Sequence, residues 1–192
     1  MNGPPPAPSP DLPAGYPPEL ERTWLAADGT PVVLRALHPG DIEREMAFAT
    51  GLSGQTLHLR MQYSTKGLTR EDAARLLQLD YVDTLAVGAY VAGMTGDELV
   101  GVSRYAREPG ADRADCAIVV ADAWQGRGLG TELMRSLGTA AKARGIRRLE
   151  GASLAENQRI HEWARRFGFD VRTEPNSGGQ VNVIVDLAAF PS

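Results

Sequence analysis

From residue 30 onward the apolar positions alternate between two spacings, and each change of spacing marks a new element. TPVVLRAL at residues 30–37 is a β-branched run that ends at the turn HPGD, which predicts a strand. Asp41 stands where a helix cap is expected, ahead of DIEREMAFATGL; SGQTLHLRM and TREDAARLLQL predict two further short helices. In the last of these, Thr69 and Asp72 have the spacing of a capping box. From Thr84 the spacing becomes that of strands. TLAVGAYV, ELVGVSRYAR and ADCAIVV, separated by AGMTGD and EPGADR, predict a three-stranded antiparallel meander. A long helix follows over residues 128–143, with Leu129, Leu133, Leu137 and Ala141 on one apolar stripe. IRRLEGAS predicts the next strand. Residues 157–167 predict a helix with Ile160, Trp163, Ala164 and Phe167 on its core face, which leaves His161 outside that stripe and in solvent. FDVRTE and QVNVIVDL close as a hairpin. The order is that of an α/β fold: a mixed, mostly antiparallel sheet of about six to seven strands flanked by helices.

The chain is long enough for one ordinary domain: 192 residues, 43% hydrophobic and 23% charged. A formal net charge of −4 offers no overall attraction to nucleic acid or to an anionic membrane. No apolar run approaches a membrane span, and the N-terminus lacks the basic start and apolar core of a secretory signal, so a cytoplasmic location is expected. One cysteine, Cys116, excludes an intrachain disulfide and a cysteine-rich zinc site, and no metal is expected. Eight of the thirteen prolines fall in the first eighteen residues. Such a stretch supports neither helix nor ladder, so residues 1–20 are expected to be a disordered, proline-rich tail and residues 21–192 the domain. Nothing in the sequence specifies an oligomeric state.

The chemistry concentrates in ADAWQGRGLGTELM. Gly126, Gly128 and Gly130 crowd the start of a helix, where glycine is costly. A helix start leaves backbone N–H groups without partners and carries about half a positive charge, and removing side chains lets an anion approach those amides. Arg127 adds a full charge, so the turn suits a diphosphate. A dinucleotide-binding reading of GRGLGT would make Glu150 the ribose ligand. It fails because the third glycine comes one place early and the motif follows an antiparallel meander. The Lys-Ser/Thr pair of a phosphate-binding P-loop is missing as well.

QGRGLG resembles the Q/R-x-x-G-x-G/A acyl-CoA signature of the GNAT superfamily of N-acetyltransferases. CAIVV before it and ENQRIHEWARRFGF after it fall where that family has its fourth strand and fourth helix, and the likeness spans about residues 30–187. LRALHPGD, GLSGQTLHLRM, LDYVDTLAVGAY, LVGVSRYAR and ADCAIVVADAWQGRGLG are similar to the catalytic domain of bacterial Pat-type protein lysine acetyltransferases. In that group the domain is often fused to a cyclic-nucleotide-binding or acyl-CoA-synthetase-like domain. The resemblance implies a GNAT fold with acyl-CoA at the splay between the family's fourth and fifth strands. It further implies acetyl-CoA as cosubstrate and an amine as acceptor, a protein lysine ε-amine first and a small amine such as a polyamine or aminoglycoside second.

Carried over residue by residue, the resemblance places the pantetheine arm along Ile118, Val119 and Val120, with the Val120 amide as oxyanion donor. The diphosphate would lie on Gln125, Gly126, Arg127, Gly128, Leu129, Gly130 and Thr131, with Asn157 beside the cofactor arm. Asn157 is equally suited to a plain helix cap. A lysine of pKa about 10.4 is neutral in roughly one molecule in 2,500 at pH 7, a cost of about 4.6 kcal/mol, so a base near the amine is valuable. The Pat-type glutamate base falls on Asp115, one methylene shorter; its bland alternative is a solvated strand-end carboxylate. The tyrosine that many relatives use to protonate the thiolate falls on Ala164, so no dedicated acid is expected. With a shortened base and no acid, a non-catalytic acyl-CoA sensor is the alternative from another class. Tyr81 is placed on the acceptor side, Arg165 and Arg166 near the phosphates or in solvent, and Cys116 on the strand face opposite Asp115. His38 is assigned to a turn, and His58 has no partner legible in the sequence.

Overall fold

The computed structural model describes residues 12–61, 68–94, 96–173, 180–188 and 190. Among these described residues eight strands form one sheet: β1 (Arg22–Leu25), β2 (Pro31–Ala36), β3 (Thr84–Gly93), β4 (Gly96–Ala106), β5 (Arg113–Val120), β6 (Arg148–Leu154), β7 (Asp170–Thr173) and β8 (Gln180–Asp186). Their spatial order is β1-β2-β3-β4-β5-β6-β8-β7. Every neighbouring pair is antiparallel except β5 and β6. Five helices flank the sheet: α1 (Ile42–Gly51), α2 (Gly54–Met61), α3 (Arg70–Leu76), α4 (Leu129–Ala143) and α5 (Gln158–Arg166). The strand missed in the sequence is β1. At four residues, RTWL is too short for its alternation to stand out, and pairing with β2 makes it a strand. Among the described residues no helix is long and apolar enough to cross a membrane.

The core has two parts, one on each face of the sheet. On one face Leu129, Leu133, Leu137 and Ala141 of α4 are fully buried against the sheet, so the predicted stripe is the packing face. On the other, Phe48 of α1 packs with Leu37, Leu77, Tyr90 and Leu99. At the start of α3, the Thr69 side chain accepts from the Asp72 N–H while the Asp72 carboxylate accepts from the Thr69 N–H, a complete capping box.

Two expectations are corrected here. Asp41 sits at the start of α1 but makes no side-chain cap to it. Its carboxylate instead takes a bidentate pair from Arg35 at 2.7 and 2.8 Å and the His38 N–H at 3.1 Å, with no exposure at all. A half-buried arginine six residues back, near the end of β2, is a stronger partner than helix amides, and its fork fits both oxygens. His161 is buried at 3% exposure, because α5 docks with a wider face than its apolar stripe. Burial, with Arg165 nearby, pushes its pKa down.

The expected tail of residues 1–20 lies outside the described residues up to residue 11. Beyond that, the Tyr16 hydroxyl donates to the Ala36 carbonyl at 3.2 Å and its ring packs edge-on against Tyr81. Pro18–Leu20 then form a 3₁₀ turn that leads into β1. The part of that stretch described here is therefore docked on the domain.

Candidate active site

The sheet opens where its one parallel pair ends. β5 and β6 are in register from Arg113 with Arg148 to Asp115 with Glu150, and no further. Beyond that rung the strands part into a cavity of about 1190 Å³ floored by residues 116–120 of β5 and 151–153 of β6. The size and the few convergent polar groups are those of a small-molecule site. Gly151 sets how closely the strands meet at the throat, since a Cβ there would stand 3.1 Å from the Cys116 carbonyl oxygen.

Pairing with β4 determines which β5 amides face the opening. The register runs from Ala106–Asp115 to Gly101–Val120 without a bulge, and the Ala121 N–H donates to the Val100 carbonyl at 2.9 Å. Hydrogen bonding alternates along an antiparallel pair, so Val119 and Ala117 spend their backbone groups on Val102 and Arg104. Ile118 and Val120 turn theirs into the splay. Of the three residues expected to pair with a pantetheine arm, two present an edge; Val119 instead points its side chain to the α1 side of the core. Val120 also lies five residues from Asp115, about 16 Å along a strand. One carbonyl group cannot be served by both. The first amide clear of the β6 rung is that of Ile118, three residues or about 10 Å along the strand from Asp115.

Asp115 is exposed and adjoins the cavity's lining residues Cys116 and Ala117. Its side chain shares the sheet face covered by α1 and α2, whereas Ile118 and Val120 pack on the α4 side. Glu150, the ribose ligand of the discarded dinucleotide reading, is its cross-strand partner, so two carboxylates stand side by side at the throat.

At the other end of the cavity lies the glycine turn. Gly126 and Gly128 have φ of 78° and 90°, a region that glycine alone enters cheaply, while Gly130 is an ordinary helical residue facing Ile118 and Val120. Gly128 is the N-cap of α4 and offers no side-chain cap, which leaves the first helix amides to a ligand. Gly126, Gly128, Gly130 and Thr131 line the cavity. Leu129 is fully buried in the core and has only its backbone to give. Arg127 is turned away from the cavity: it pairs with Asp28 of the β1–β2 turn at 2.8 Å and lies over the Trp124 ring. Its charge reaches the turn partly neutralised. Gly128→Ala puts a side chain at φ 90° and is expected to weaken CoA binding roughly tenfold, equivalent to ~1–2 kcal/mol of backbone strain. Calorimetric titration with CoA checks this, and an unchanged Kd refutes it.

Contacts that the sequence does not show complete the turn, and two of their residues, Asp122 and Arg159, were not among the sequence candidates. The Gln125 amide donates to the Val120 carbonyl at 3.0 Å and to Thr56 Oγ1 at 3.3 Å, and its carbonyl accepts from Arg159 at 2.6 Å. Gln125 thus braces the turn. Arg159, whose guanidinium would stand 3.5 Å from a Cβ on Gly126, is a cation placed at the glycine turn. Asp122 accepts from the Ser53 N–H, the Ser53 hydroxyl and the Thr56 hydroxyl at 3.0, 2.7 and 2.8 Å and so anchors the start of α2. Those bonds hold its carboxyl below the usual carboxylate range. Apart from the Gln125–Val120 bond, these links join residues 34 or more apart in sequence, so they were not legible beforehand.

The remaining candidates divide. Asn157 lines the cavity and caps α5, accepting from the Ile160 N–H at 3.3 Å. Arg166 lines the cavity and Arg165 is exposed. Thr131 Oγ1 accepts from the Trp163 indole at 3.0 Å, which ties α4 to α5. Tyr81 is a correction: it is 1% exposed, in the core, and outside the cavity lining. It holds φ 62° in a turn where Asp80 Oδ1 accepts from the Val82, Asp83 and Thr84 N–H groups, and Arg144 bonds its carbonyl. Burial pushes its phenol up to about 12. LDYVD is therefore a structural turn and not an acceptor wall.

Comparison with known proteins agrees with this layout. The sequence profile of the Acetyltransferase (GNAT) family matches residues 55–169. Acetyltransferase PA5475 of Pseudomonas aeruginosa is 32% identical over 160 residues, 82% of this chain and 86% of that protein. Acetyltransferase Pat of Mycolicibacterium smegmatis is 33% identical over 78% of this chain, which spans 47% of that longer protein. The crystal structure of the GNAT domain of S. lividans PAT superposes with a TM-score of 0.81 at 26% identity, covering 89% of this chain and 99% of that domain.

Proposed function

The chain belongs to the GNAT acetyltransferase family and is an acyl-CoA-dependent N-acetyltransferase; from that premise we propose that its acceptor is a protein lysine ε-amine and that Asp115 is its base. The observation that carries this is the end of the β5–β6 pairing, which puts an exposed carboxylate at the throat of the cavity, open to a long side chain arriving over the face of α1 and α2. Likeness to the two Pat proteins supports lysine over a small amine.

The residues present fit acetyl-CoA. Two left-handed glycines and an uncapped helix start suit its diphosphate, with Arg159 beside them, and the β5 edge at Ile118 and Val120 offers the alternating donors and acceptors that its two amides require. Acetyl-CoA supplies the activated acyl thioester. The chain does the rest. Asp115, directly or through a water, takes the proton that the incoming ammonium must lose, and Glu150 beside it adds negative potential that draws the cation in. The Ile118 N–H donates to the charge that develops on the carbonyl oxygen. Coenzyme A leaves as a thiolate of pKa about 8.5, basic enough to take a proton from solvent, and Ala164 at the place of the usual acid is then no obstacle.

The test is to incubate the protein with acetyl-CoA and a proteome, and to follow free thiol together with acetyl-lysine by mass spectrometry. A small set of site-specific acetyl-lysines is the expected result. Turnover only on polyamines or aminoglycosides would reassign the acceptor, and CoA binding without turnover on any amine would leave a sensor.

A further inference from the structure

His58 of α2 and Glu156, between β6 and α5, both line the cavity and meet at 2.8 Å from Nε2 to Oε1. They come from opposite walls. α2 packs over β5 and β6, where the strands part, and is fixed at its start to Asp122 and, through Thr56 and Gln125, to Arg159. Glu156 precedes the Asn157 cap of α5 on the far wall. The side chains of the pair are 61% and 64% exposed, so their contact lies on the solvent side of the cavity, above its floor of strand edges. With its proton on Nε2 the imidazole donates to the carboxylate.

We propose that His58 and Glu156 form a latch that closes the wall of α2 over the pantetheine arm and slows the departure of coenzyme A. This rests on the reading of the cavity as the acyl-CoA groove. A ligand lying along the β5 edge from the glycine turn towards Asp115 occupies the cavity beneath this link. Sideways exit then requires the link to break, while the residues on the floor hold the ligand whether or not the latch is shut. Both are positioning residues, which act through their contact with each other, and through α2, on the lifetime of the complex.

The measurement is the dissociation rate of coenzyme A from the full chain, by stopped-flow displacement, for His58→Ala, Glu156→Gln and the double variant. Each single change is expected to raise the rate about two- to fivefold, the range for one exposed pair, and the double change no more than either alone. The exchanged pair, His58→Glu with Glu156→His, is expected to recover most of the slow release, which a merely structural role for either residue would not produce. Rates equal to the parent in all variants, or effects of the two singles that multiply, overturn the latch while leaving the groove assignment intact. Failure of the parent protein to bind coenzyme A overturns both.

Discussion

Asp115→Asn is expected to lower kcat/KM for the amine by about 10²- to 10³-fold while leaving the Kd for acetyl-CoA within a factor of two. Asparagine keeps the shape and the strand but cannot take the ammonium proton, and a positioned base contributes roughly 10²–10⁴-fold. Raising the pH should recover part of the loss, because a larger fraction of the acceptor then arrives neutral. Asp115→Glu restores the side-chain length expected from the Pat-type resemblance at an exposed strand position, so it should fold normally and retain or exceed the parent rate. Initial rates from thiol release over a pH series make the comparison. An Asp115→Asn protein with the parent rate at neutral pH would remove Asp115 from the mechanism and leave proton loss to solvent or to Glu150.

The largest stability effect is expected at Asp41. Its carboxylate is wholly buried and bound bidentately by Arg35, whose guanidinium lies 3.9 Å over the Tyr90 ring. Asp41→Ala leaves that cation buried without its counter-ion, a loss of about 3–5 kcal/mol and a fall in Tm of the order of 10 °C for a domain of this size. Chemical denaturation of the variant and its parent measures it; a change under 1 kcal/mol would show the pair to be dispensable. The same pair makes stability depend on pH. Burial pushes the Asp41 carboxyl up, but the Arg35 hydrogen bonds and charge, with the His38 N–H, outweigh it and hold the folded-state pKa below the ordinary 3.8. A depressed carboxylate stabilises the fold at every pH above its unfolded value. That contribution drains away as the pH falls below about 4 through the folded value, and Asp41→Ala should flatten the acid limb of the stability curve there.

These two carboxylates differ in how far the sequence could assign them. Asp115 is a candidate base only through the resemblance of ADCAIVVADAWQGRGLG to the Pat-type segment, a likeness confined to one linear strand–turn–helix unit. The sequence offered Asp41 as a cap, since aspartate before a helix commonly is one, and only the pairing of β2 with β3 brings Arg35 into position to claim it. Tyr81 failed similarly: a shared segment with an acetyltransferase group suggested an acceptor wall, while the Asp80 turn that holds it concerns the route of the backbone into β3. His161 was misplaced because a helical projection gives the apolar stripe and not the width of the face that docks.

The sequence by itself determined the α/β class, the α-helices, every strand but β1, and a glycine turn at the start of α4, because each follows from local properties: the spacing of apolar residues, turn chemistry, and glycines where a side chain would strain the backbone. The tertiary structure decided the rest. Where β5 and β6 part, that Ile118 and not Val119 presents its amide to the splay, that Arg127 is held by Asp28 while Arg159 attends the turn, and that His58 meets Glu156 across the cavity are all matters of register and of contact between distant segments. A one-residue shift in strand pairing reverses which amides and side chains face the ligand, and that shift is set by the packing of whole elements rather than by any short stretch of chain.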